Sequence, residues 1–219
     1  VSIGGPLDHL ALMDNFCWCS SNEEERLGQL KEAARGCYDF ATAYGTPFIS
    51  GKDSMFNDFK GYDEDGNSVK ISVPPTLLVS SLAVMPDYRK TVTLDVKFPG
   101  DLVYVVGETS DELGASEYFE ELGFIGNNIP KVDAEKNMKV YRAVERAISE
   151  GLVASCESVL LGGLGVALAR KSIAGQLGLD ISLKNLPVNG DVTRPDYLLF
   201  SESQGRLVMS VNPAKKDEF

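Results

Sequence analysis

Apolar and polar positions along the chain fall into stretches of different period, and the periods predict the elements. His9–Met13 (HLALM) is a short apolar run that reads as a buried strand ending at Asp14. Ser20-Ser21-Asn22 followed by Glu23-Glu24-Glu25 reads as a helix start. Ser21 and Glu24 have capping-box spacing, and the acids sit at the positive end of the helix dipole. Leu27, Leu30, Ala34, Cys37, Ala41 and Tyr44 then recur at helical steps, predicting one buried face, with Gly45 as the stop and Pro47 beyond it. Phe48-Ile49-Ser50 predicts a strand delivering a turn at Gly51–Ser54. Phe56–Phe59 and Val69–Val73 read as strands joined at the tip Asp63-Glu64-Asp65-Gly66-Asn67, which lacks the glutamate an EF-hand requires. After Pro74-Pro75, Thr76–Met85 reads as a further strand. The order predicts an α+β layer, a helix packed on a mostly antiparallel sheet.

Polar Pro86–Lys90 is the best boundary, dividing the chain into domains 1–90 and 91–219. Beyond it Val92–Val96 and Leu102–Val106 predict two strands joined at Pro99-Gly100. Ser110–Leu122 contains a helix weakened by Gly114, and Gly123–Val132 is a loop. Asp133–Gly151 is an amphipathic helix with Met138, Tyr141, Val144 and Ile148 on one face. Leu152–Val159 reads as a strand, Gly162–Ala174 as an apolar helix, and Leu179–Leu183 and Leu207–Val211 as short strands. This alternation predicts a second, α/β domain.

Composition narrows the function classes. The chain has 219 residues, 43% of them hydrophobic, enough for a core without disulfides, and a net charge of −11. That charge argues against nucleic acid and anionic membranes, though local phosphate sites remain open to an acidic protein. No apolar run approaches membrane-spanning length, and no signal peptide is present. Cys17, Cys19, Cys37 and Cys156 lack metal-ligand spacing and read as reduced thiols of a cytoplasmic protein. No start methionine is present, so the chain reads as a piece of something longer.

Three segments offer chemistry. Asp14, at a strand end, reads equally as a metal or ribose contact and as a turn former. In Gly51–Ser54, Gly51 would admit a phosphate, Lys52 neutralise it, Asp53 hold Mg2+ and Ser54 hydrogen-bond an oxygen; the alternative is a tight turn with surface polar residues. Gly162-Gly163-Leu164-Gly165 opens a helix as an anion site or as a glycine-rich packing turn. Glu202 and Arg206, flanked by hydroxyls, could simply pair at a loop surface. With His9 as the sole histidine, no Ser/His/Asp triad exists.

Five strings, ALMDNFCWC, PFISGKDSMFND, GASEYFEELG, GGLGVALARKSIAGQLG and LFSESQGRLVM, stand in the order found in the phosphoribosylformylglycinamidine synthase family, and the chain resembles the second half of its synthetase subunit. The resemblance implies a fold like that of aminoimidazole ribonucleotide synthetase: an N-terminal-type domain cut short at its start, then a C-terminal-type domain. It implies a ligase of de novo purine synthesis, in which ATP phosphorylates the amide oxygen of formylglycinamide ribonucleotide and glutamine-derived ammonia displaces the phosphate. ATP and Mg2+ are the implied cofactors. The first half of the synthetase and a glutaminase are the implied partners, with homo-oligomer formation left open. Asp14, Gly51 and Lys52 fall at ATP-binding positions and Ser54 at a substrate position. Lys52 replaces the asparagine of many members, which favours phosphate contact over metal coordination. Gly162, Gly163, Glu202 and Arg206 remain candidates for a phosphate or interface role. Ser158-Val159-Leu160-Leu161 replaces the acidic residues that usually precede Gly-Gly-Leu. The catalytic histidine motif belongs to the absent first half, so no residue here is expected to be catalytic alone. A scaffold half holding a structural nucleotide is the alternative, and another ATP-binding member of the superfamily is the third reading.

Overall fold

The apolar run beginning at Leu10 does not stop at Asp14. Strand β1 spans Leu10–Cys17, because Phe16, two residues past the aspartate, is buried with Trp18 and Cys19 and keeps the chain extended. The computed structural model describes residues 1–219, and β1 is the centre of a unit formed by Asp8–Val84. Helix α1 (Glu24–Tyr44) follows. The expected capping box does not form: the helix is entered at Glu23 without a side-chain cap, and the Ser20 hydroxyl instead accepts a bond from the Asn22 N–H. Trp18 Nε1–H donates to Arg26 O at 2.9 Å and ties down the first turn. Gly45 ends the helix in the left-handed conformation, as its position predicts. The apolar face of α1 is only partly used. Leu30, Ala33 and Cys37 pack on Phe16 and Trp18, while Leu27 and Ala34 are exposed.

Strand β2 (Phe48–Ser54) runs through the expected turn and lies parallel to β1. β3 (Asp58–Tyr62) and β4 (Ser68–Ser72) form a separate hairpin, at whose tip the Asp63 carboxylate accepts bonds from the Asp65 and Asn67 N–H groups. β5 (Thr76–Ala83) pairs antiparallel with β1. The sheet order β2-β1-β5 leaves β2 at an edge.

The second unit comprises Met85–Phe219 with Val1–Leu7. Its sheet has β8 (Leu207–Val211) between β6 (Leu102–Val106) and β7 (Val153–Ser158), both antiparallel to it. Every residue of β8 is buried because both faces are covered. On one side α3 (Ala134–Ser149) sets Val144, Ala147 and Ile148 on Leu207 and Met209. On the other, α4 (Gly163–Gly175) sets Leu164, Ala167 and Leu168 on Val208. Burying such aliphatic side chains stabilises by roughly 1.5–3 kcal/mol each. The short helices α2 (Glu117–Glu121) and α5 (Pro195–Phe200) meet through stacked Tyr118 and Phe200 rings, 4.8 Å between centroids. No helix is long and apolar enough to cross a membrane.

Two local expectations fail here. Val92–Val96 is not a continuous strand: Thr93 makes one parallel bridge to Ser155 of β7, and beyond it α4 takes over, Lys171 Nζ donating to Leu94 O and Val96 N–H donating to Lys171 O. Leu179–Leu183 is irregular and ends in a single 3-10 turn. The helix expected within Ser110–Leu122 is present as the short α2, capped by Ser116.

Candidate functional site

Successive side chains of a strand point to opposite faces, so the polar residues of β2 cannot all meet one ligand. The register pairs Asp14 with Gly51, Asn15 with Lys52, Phe16 with Asp53 and Cys17 with Ser54. Asp14, Gly51 and Asp53 therefore share the Phe16 face, and Lys52 and Ser54 share the opposite face with Asn15. Contacts agree with this division. A Cβ at Gly51 would overlap the Asp14 carboxylate, and Lys52 Nζ donates to Ser54 Oγ. Asp14 is thus a mid-strand residue lying over a glycine, not a residue past a strand end. Gly51–Ser54 is an edge strand, not a phosphate-cradling turn. On the Phe16 face, burial, aided by the Asp14 carboxylate, pushes the Cys37 thiol above its ordinary pKa.

Asp53 does not make a magnesium site with Lys52 and Ser54, because it points away from both. An ammonium has no lone pair to offer a metal, and no group of three or more His, Cys, Asp or Glu side chains stands ready to hold one. The Lys52–Ser54 pair has different chemistry. The ammonium donates to the hydroxyl oxygen, leaving the Ser54 O–H to donate elsewhere and Lys52 exposed to an anion.

Two residues of this neighbourhood were not among the candidates read from the sequence. Asn15 Oδ1 is buried without a partner, on the face of Lys52 and Ser54. Asn57 clamps the end of β2: its side chain donates to Ser54 O at 3.0 Å while its N–H donates to Trp18 O at 3.0 Å. Between them Phe56 adopts φ +58°, a conformation costly for a bulky residue. Asn15, directly after Asp14, was findable by strand alternation.

In the second unit the structure answers what surrounds Gly162 and Gly163. Glu202 is buried, and its Oε1 accepts the Gly162 N–H at 2.8 Å and the Glu117 N–H at 3.0 Å. One internal carboxylate thereby serves the starts of α4 and α2. Gly163 N–H donates to Leu160 O, and a Cβ at Gly163 would press into the carbonyls of Leu199 and Ser201. The glycine pair is a packing turn. Glu202 and Arg206 do not meet as a surface pair; both are buried. Arg206 donates to Thr109 Oγ1 and Ser203 O at 2.9 Å and to Ser201 O. Burial pulls its guanidinium down to about 10, against the raising influence of Glu112 and Glu202.

Two mixed units, one built on a parallel β1–β2 pair and the other on an antiparallel sheet between helices, define the aminoimidazole ribonucleotide synthetase-like class of α+β proteins. The chain belongs to the family of AIR synthase related proteins, C-terminal domain, whose pattern matches residues 99–219. It is 33% identical over 212 residues to the phosphoribosylformylglycinamidine synthase subunit PurL of Methanocaldococcus jannaschii, covering 95% of this chain and 28% of that protein. To the same subunit of Pyrobaculum aerophilum it is 35% identical, covering 91% and 27%. The chain therefore spans only about a quarter of the length of these curated relatives. Among solved structures, T. maritima PurL complexed with FGAR superimposes with a TM-score of 0.69 at 19% identity, covering 99% of this chain and 33% of the other. A HypE–HypF complex chain gives 0.69 at 17% identity, covering 99% and 66%, so the fold extends well beyond one enzyme.

Proposed function

We propose that the chain is part of the ATP-dependent ligase that converts formylglycinamide ribonucleotide, ATP and glutamine-derived ammonia to formylglycinamidine ribonucleotide in de novo purine synthesis. The observation that carries this reading is the 33% identity to a phosphoribosylformylglycinamidine synthase subunit along 95% of the chain. Solved PurL structures named for complexes with ATP and with FGAR, and a PurLQS assembly, support ATP, this substrate and a glutaminase partner as its ligands. On this reading Asp8–Val84 would be the N-terminal-type domain and Met85–Phe219, joined by Val1–Leu7, the C-terminal-type domain. The remaining half of the synthetase completes the site, in the cytoplasm.

Bound ATP supplies the phosphoryl group that activates the amide oxygen. The chain's own residues bind and orient. Asp14, whose carboxylate occupies the space a side chain at Gly51 would fill, accepts hydrogen bonds from the nucleotide. Lys52, on the other face of the edge strand with Ser54, neutralises phosphate charge on the ligand that Ser54 meets. Ser54, held by Lys52 and by Asn57, donates its hydroxyl proton to a substrate oxygen. No group of three or more His, Cys, Asp or Glu side chains makes a metal site by itself, and no step is assigned to a metal on this chain.

One observation favours a scaffold role for the second unit: the donors at the start of α4 are used internally, by Glu202 and by Leu160 O. The test is kinetic. In the whole synthetase, Ser54→Ala and Asp14→Asn should each lower kcat/KM by more than about tenfold, and the isolated chain should form no formylglycinamidine ribonucleotide. Wild-type rates in both variants would leave only the scaffold reading.

A further inference from the structure

A polar pocket of about 220 Å3 opens where the chain leaves β6, enters β8 and begins α3. Its wall includes Asn137, which is only 8% exposed and whose side-chain amide hydrogen-bonds to no other residue. With no partner in the fold, its two polar atoms are left to what enters the pocket. Gly205, at φ +79°, lies against this amide, and a Cβ there would overlap it. Gly107, at φ +85°, would in turn press a Cβ into the Gly205 carbonyl. A side chain at position 205 would therefore displace the Asn137 amide, and one at position 107 would displace the Gly205 backbone beside it.

The charges around the amide select the ligand. Three carboxylates line the pocket, and each already holds an internal donor. Glu108 pairs with the Lys136 ammonium, Glu112 accepts the Lys131 N–H at 3.1 Å, and Asp133 caps α3 by accepting the Lys136 N–H at 3.0 Å. The ammonium groups of Lys131 and Lys136 oppose them. An oxyanion would face those carboxylates, and a cation the lysines. A neutral group that both donates and accepts finds partners on every wall, and hydroxyls are such groups. The volume equals that of about seven waters, at roughly 30 Å3 each, which suits one small ring.

We propose that this pocket binds a neutral polyhydroxylated ligand, a sugar ring with adjacent hydroxyls. Asn137 Nδ2 donates to one hydroxyl and Oδ1 accepts from its neighbour, with Glu108 accepting and Lys131 donating at the rim. The inference does not depend on the proposed ligase reaction, since it uses residues to which that reaction assigns no role.

The test is to titrate the isotope-labelled full chain with D-ribose and, separately, with inorganic phosphate, following the Asn137 side-chain amide and Gly205 N–H resonances. Saturable shifts are expected with ribose and not with phosphate. Asn137→Ala should weaken ribose binding by about tenfold or more, the loss of a well-made hydrogen-bond pair. Lys136→Met, at a more exposed site, serves if Asn137→Ala does not fold and should weaken it by about threefold through release of Glu108. Absence of a saturable ribose shift, the same shift with phosphate alone, or wild-type ribose affinity in whichever of these variants folds would overturn the proposal.

Discussion

At Gly51 the space a side chain would fill is occupied by the Asp14 carboxylate from the neighbouring strand. Gly51→Ala forces that carboxylate aside or the strands apart, and overpacking of this kind costs about 1–3 kcal/mol. Urea unfolding of the chain should show a loss in that range, while Gly178→Ala, where a Cβ meets nothing nearby, serves as the comparison. Equal stability of the two variants would mean that Asp14 swings away freely and does not need the glycine. The residue types at this site were legible in the sequence as a glycine, an ammonium, carboxylates and a hydroxyl within a short run. Their division between two faces was not, because it follows from β2 continuing as a strand paired to β1, where a turn was expected. Asp53 shows the consequence: its spacing from Lys52 and Ser54 suggests a shared metal site, and strand alternation separates them.

Among the elements, those with long periodic patterns matched expectation. α3 spans Ala134–Ser149 behind its Asp133 cap, and α4 begins at Gly163 as its glycine turn suggests. α5 escaped notice, although Pro195 at its first turn is a recognised helix-start signal. The helix starts also carry a prediction. Glu202 accepts backbone N–H groups from the beginnings of both α4 and α2. Both bonds go to one oxygen, so Glu202→Gln keeps the shape and an oxygen that can accept them and removes the charge that strengthens them. A loss of about 1–3 kcal/mol is expected in chemical denaturation, the range for weakening buried, charge-assisted hydrogen bonds. An unchanged midpoint would mean that these helix starts find other acceptors. The sequence marked Glu202 as a candidate but not its burial, since its partners lie 40 and 85 positions away.

For the molecule as a whole, buried titratable groups set the alkaline pH dependence of stability. Lys171 lies wholly inside the second unit, donating to Leu94 O and Ser155 Oγ, and burial lowers its pKa from 10.5 to about 8. Above pH 8 the folded chain has released a proton that the unfolded chain still binds, so stability rises with pH. Cys156 works in the other direction. Burial raises its thiol from 9.0 to about 11, so above pH 9 the folded chain keeps a proton that the unfolded chain has lost. Unfolding free energy should therefore rise between about pH 8 and 9 and then level off until about pH 10, where Arg206 begins to titrate. Lys171→Met should abolish the rise, and Cys156→Ala should extend it toward pH 10.5. A rise that persists in Lys171→Met would assign it to another group. By itself the sequence determined the order and kind of most elements, the α+β class and the family, because hydrophobic period, helix caps and short motifs are local properties. The tertiary structure alone decided that β2 runs through Gly51–Ser54, that Glu202, Arg206 and Lys171 are interior, and that Asn137 faces a pocket. Those outcomes depend on strand register and on contacts between residues far apart in sequence, where a side chain's surroundings are set by what packs on it and not by its neighbours in the chain.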